Sequence, residues 1–80
     1  MPQPLWLVRP RPDGGCDYVN FVPVPAAATG AATVEMREGS HLPPQMPLLK
    51  RRHHLPREEA ERCRQQLQQN DGYRFSEPLF

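Results

Sequence analysis

Pro47–Phe75 reads PLLKRRHHLPREEAERCRQQLQQNDGYRF, and its punctuation decides the fold. Residues 46–52 form a strand candidate, apolar at its start and basic at its end. A turn follows at His53-His54, and Leu55 is placed to pack back on Ala60 as a hydrophobic staple. Pro56 suits the first turn of a helix, where its missing N–H is no loss. Glu58 and Glu59 then lie at the positive end of the helix dipole, and Glu58 is spaced to pair with Arg62. Ala60, Cys63 and Leu67 mark a narrow buried stripe, with Gln65, Gln66, Gln68 and Gln69 on the remaining faces. Asn70-Asp71-Gly72 stops the helix, because Gly or Asn accepts a left-handed cap. Tyr73-Arg74-Phe75 returns as a short extended segment.

Working outward towards the N-terminus, Leu5-Trp6-Leu7-Val8 is a short apolar run bounded by prolines and predicts a first strand. Asp13-Gly14-Gly15 supplies a hairpin turn. Tyr18 to Val22 is rich in β-formers, with Tyr18, Asn20 and Val22 on one face and Val19 and Phe21 on the other. Trp6 is expected opposite an aromatic of that strand. Ala32 to Arg37 alternates, so Val34 and Met36 face a core while Glu35 and Arg37 face water. Glu38-Gly39-Ser40 reads as a turn.

The fold class that follows is α+β: a small antiparallel β-sheet of three to five short strands, with one C-terminal α-helix, about 56–70, packed on one face. Eighty residues allow a single domain, 1–80. Eleven prolines among them are more than twice the usual share. They predict mobile connections at 23–31 and 39–47, and 76–80 reads as a tail that Leu79 and Phe80 pin down.

The net charge of +1 gives no global field towards nucleic acid or membrane. Charge is nevertheless uneven, since six of the ten Lys and Arg residues lie between Lys50 and Arg64. No run approaches the ~18–20 apolar residues of a transmembrane helix, and Met1-Pro2-Gln3-Pro4 does not begin a signal peptide. A cytoplasmic protein with Cys16 and Cys63 reduced is expected.

The residues Leu48-Leu49-Lys50, Arg52, Leu55, Arg57, Glu59-Ala60, Leu67 and Gly72-Tyr73, with Trp6-Leu7-Val8 upstream, carry a resemblance. The chain resembles a family of very short domain-of-unknown-function proteins from marine cyanobacteria. That pattern has an N-terminal Trp-Leu-Val, a central Leu-Leu-Lys-x-Arg, a helix opening on Arg-Glu-x-Ala and a Gly-aromatic after it. Pro56 departs from it where a capping serine is usual, Tyr73 where Trp is common, and Arg64 where an aromatic is frequent. Asn70-Asp71 lengthens the helix end. The resemblance implies a cyanobacterial cytosolic protein and attaches no activity to it.

Two function classes stay open. Trp6, Phe21, Tyr73, Phe75 and Phe80 exceed what one helix can cover, and an exposed aromatic patch marks a protein partner or self-association. Lys50, Arg51, Arg52, His53, His54 and Arg57, with Tyr73 to stack a base, form a candidate partner or nucleic-acid surface. Strand alternation places Lys50 and Arg52 on one face and Arg51 on the other, which thins that patch. Its plainer reading is a sheet edge guarded by charge.

His41, His53, His54, Cys16 and Cys63 lack the C-x-x-C or H-x-x-x-H spacing of zinc sites, so no metal and no cofactor is expected. Cys63 sits beyond the helix N-terminus that would depress its pKa, and reads as a small buried hydrophobe. No phosphate loop, nucleophile elbow or triad is visible, so no enzyme and no small-molecule substrate are indicated.

Overall fold

A computed structural model describes residues 3–25 and 32–79. Its elements run β1 (Leu5–Pro10), β2 (Cys16–Val24), β3 (Thr33–His41), β4 (Leu48–Pro56), α1 (Arg57–Asn70) and β5 (Arg74–Ser76). The five strands form one sheet in the order β4-β3-β2-β1-β5, with every neighbouring pair antiparallel. The helix therefore leaves one edge strand and delivers β5 to the opposite edge. It lies closest to β4 and β3. The expected α+β architecture is the observed one.

Period-two alternation sorts the side chains between two faces. Leu7, Val19, Phe21, Val34 and Met36 point to the helix side and close with Ala60 into the buried core. Leu5, Leu55, Cys63, Leu67 and Tyr73 pack around it. Ala60 has no exposed surface, so the helix approaches the sheet at the one position of its stripe small enough to allow it. Full burial of each large aliphatic or aromatic side chain here contributes about 1.5–3 kcal/mol relative to leaving it in water.

Several expectations are corrected. β4 continues to Pro56, so His53 and His54 are strand residues rather than a turn. Pro56 is the residue preceding the helix, with φ −56° and ψ 149°, and offers no side-chain cap. Among the described residues, the intrahelical ion pair is Glu61–Arg64 at 2.8 Å, and Arg64 also donates to Gln68; Glu58–Arg62 does not form. β2 runs through Pro23, which pairs with Val34, because β1 ends at the Leu5–Phe21 pair and no ladder bond is lost on that side.

Glu38-Gly39-Ser40 is strand, not turn. A Cβ on Gly39 would lie 2.6 Å from the Tyr18 hydroxyl and collide with the Leu48 carbonyl, so glycine lets Tyr18 and β4 close over β3. The chain turns instead after Leu42, whose carbonyl accepts from the Gln45 N–H at 2.9 Å. Asp13-Gly14-Gly15 does close the β1–β2 hairpin, with the Arg11 N–H donating to the Gly15 carbonyl at 2.9 Å. Trp6 stands opposite Asn20, and its aromatic contact is diagonal, to Tyr18 at 5.7 Å between centroids. The connection at 26–31 and Phe80 lie outside the described residues.

Candidate functional site

The basic stretch is redistributed by one irregularity. Between Glu38 and Gly39 the β3–β4 register shifts, so Arg51 faces Glu38, Leu49 faces Gly39, and Lys50 is the extra residue of a β-bulge. Simple alternation would have put Lys50 with Arg52. Instead, Lys50 and Arg51 line one groove of about 280 Å³ on the helix side, together with Arg9, Asp17, Glu38 and Tyr73. Three of the residues read from sequence as a partner surface are thus gathered there: Lys50, Arg51 and Tyr73.

That groove is electrostatically mixed. Arg9 pairs with Asp17 at 3.0 Å and lies over the Tyr73 ring, 4.8 Å from its centroid. Arg9 also donates to the Asp71 carbonyl at 3.2 Å, which ties the helix end to β1. The hydrogen bond to Asp17 raises the Arg9 pKa further, and burial pushes the Tyr73 phenol up. His53 is 3.4 Å from Glu38, an ion pair only when the imidazole is protonated.

The other candidates lie elsewhere. Arg52 faces Arg37 across the strand pair on the helix-free face, and its Nε forms an ion pair with Glu35 at 2.9 Å. Arg37 donates to the other oxygen of Glu35, also at 2.9 Å. Glu35 is consequently not a water-facing residue, because two guanidinium groups bracket a carboxylate with 12 % of its side chain exposed. The hydrogen bond from Arg37 holds its carboxyl below the usual range. His54 is opposite Glu35 on the same face, and Arg57 is exposed at the first residue of the helix.

Sequence reading missed what the helix-free face contains. Trp6, Tyr18, Asn20, Arg37, Pro47, Leu49 and Arg52 line a groove of about 330 Å³. Trp6, Tyr18 and Asn20 are buried at 8 %, 3 % and 6 % exposure, although no helix covers them. Two of its lining residues carry a buried polar atom without a hydrogen-bond partner, Asn20 Oδ1 and Arg37 Nε. Asparagine in the middle of a β-rich run was the available signal.

Exposed apolar surface gathers at Met46, Leu48 and Leu49, with Phe75 on the opposite edge. Cys16 and Cys63 are free thiols, and burial raises the Cys16 pKa. Among the described residues, no group of three His, Cys, Asp or Glu side chains is placed to hold a metal, and no helix is long and apolar enough to cross a membrane.

The family described as "Protein of unknown function (DUF1651)" matches residues 5–79. No curated protein and no solved structure matches the chain.

Proposed function

The chain belongs to the DUF1651 family, and we propose that it is a non-enzymatic protein-interaction module whose edge strand β4 accepts an extended acidic segment of a partner. The observation that carries this reading is the composition of that edge. β4 is nine residues long with no buried residue, and it sets exposed Leu48 and Leu49 directly before Lys50, Arg51 and Arg52. An added strand makes main-chain hydrogen bonds along such an edge and draws specificity from alternate side chains. Self-association by antiparallel β4 pairing is the weaker version, because a two-fold axis near the strand centre sets Lys50, Arg51 and Arg52 against like charges. Acidic residues opposite them remove that penalty.

Nucleic acid is the second reading, favoured by the bulge that brings Lys50 and Arg51 into one groove with Tyr73. Asp17 and Glu38 line the same groove and weigh against phosphate. On either reading the setting is a reducing, cyanobacterial cytosol. Its support is the family resemblance.

The test is an amide chemical-shift and hydrogen-exchange map of the labelled protein at low salt, titrated separately with an alternating valine–glutamate decapeptide and a short mixed-sequence oligonucleotide. Strand addition predicts shifts along residues 48–55 with new exchange protection of β4 amides by the peptide. Shifts at Lys50, Arg51 and Tyr73 by the oligonucleotide alone, lost steeply with salt, would replace it with the nucleic-acid reading. A spectrum indifferent to both removes both.

A further inference from the structure

The groove on the helix-free face does not rest on the edge-strand reading, although it shares Leu49 and Arg52 with β4. We propose that it binds a small carboxylate carrying a neighbouring amide N–H, the chemistry shared by an N-acylated amino acid and the last residue of a peptide. The argument begins with the two polar atoms that the fold leaves unpaired. Asn20 is 6 % exposed, and its Oδ1 is a buried acceptor without a donor. Arg37, directly opposite on β3, has a buried Nε donor without an acceptor. Native structures leave few such groups, and each calls for strain, a role in a site, or a water, ion or ligand to pair it.

Their arrangement is built rather than incidental. Glu35 accepts from Arg37 Nη2 through Oε2 and is ion-paired through Oε1 with Arg52 Nε, each at 2.9 Å. The row across the sheet is Trp6, Asn20, Arg37 and Arg52, each opposite the next on adjacent strands. It offers an acceptor first and cationic donors after it. An amino-acid residue in an extended conformation presents its N–H and its carboxyl group on the same side. A small side-chain shift that uncovers the two buried atoms lets the N–H meet Asn20 Oδ1 and the carboxylate meet Arg37 Nε beside the Arg52 guanidinium. Pro47, Leu49 and Trp6 form an apolar wall for the side chain. The groove, at about 330 Å³, is of the size that takes small molecules.

The experiment titrates the labelled protein with N-acetyl-leucine, with N-acetyl-leucinamide, and with a hexapeptide ending in leucine, its carboxyl terminus free or amidated. Amide shifts centred on Trp6, Asn20, Arg37 and Leu49 are expected with the two free carboxylates. Each amidated form is expected to bind at least tenfold more weakly. Equal affinity for the two carboxylates assigns a free acylated amino acid, and tighter peptide binding assigns a peptide terminus. Asn20→Val and Arg52→Gln should each weaken binding at least tenfold. Arg52 is exposed, so its variant should keep the fold with spectral changes confined to the neighbourhood of Glu35, and the test does not rest on Asn20→Val alone. Absence of shifts at millimolar ligand, or binding that ignores Arg52→Gln and amidation, overturns the assignment.

Discussion

Single residues here carry opposite signs of stability. Asn20 is a buried carboxamide whose oxygen finds no donor, and such a group costs about 1–3 kcal/mol. Asn20→Val removes it and adds a strand former, so thermal unfolding should show a gain of about 1 kcal/mol in the absence of ligand. A loss would mean that the amide is satisfied by water. Gly39 has the reverse sign, since any Cβ meets the Tyr18 hydroxyl and the backbone of Leu48. Gly39→Ala should therefore cost about 2–3 kcal/mol by overpacking, read as a lower denaturant midpoint.

Titration bounds the stability from both sides. The Arg37 hydrogen bond lowers the Glu35 pKa in the folded state. Its stabilisation is thus present above the unfolded value of about 4.3 and lost as pH falls through the lower folded value. Burial raises Tyr18 and Tyr73. Their contribution is intact below about pH 10 and disappears as pH rises through the folded values. Melting temperature against pH should show a steeper alkaline fall in the wild type than in Tyr18→Phe, and a flatter acid limb in Glu35→Gln.

At the scale of elements, the helix and its ends were the most legible parts, because their signals are local. Ala60, Cys63 and Leu67 do face the sheet, and Gly72 does take a left-handed φ of +75°. That glycine lets the Asp71 and Tyr73 N–H groups both return to the Leu67 carbonyl, at 3.2 and 3.1 Å. Gly72→Ala forces a Cβ into this conformation and should cost about 1–2 kcal/mol, seen as a loss of helical circular dichroism at lower temperature. Strand ends were less legible. A glycine inside a strand and a turn glycine look alike until Tyr18 is seen over Gly39, and Pro23 inside β2 looks like a proline opening a loop. The bulge at Lys50 was invisible for the same reason: register depends on the partner strand, and nothing in Leu48–Arg52 alone says where the extra residue goes.

For the whole molecule, the covered face was readable and the open face was not. Alternation separates Val19 and Phe21 from Tyr18 and Asn20, but says nothing of what Pro47, Leu49 and Arg52 do above the second set. The remaining question is whether the β4 edge is guarded or receptive, and Leu48 separates the two. A guarded edge relies on its charges, and a 58 %-exposed leucine contributes nothing to that. A receptive edge uses Leu48 as the apolar contact beside the basic run. Leu48→Thr keeps strand propensity and should change stability by no more than about 0.5 kcal/mol, as surface substitutions do. If β4 accepts a strand, the same variant should weaken the valine–glutamate decapeptide severalfold, measured by the same amide shifts. Affinity unchanged in Leu48→Thr but abolished in Arg51→Glu would show attraction by charge alone, without a strand being added.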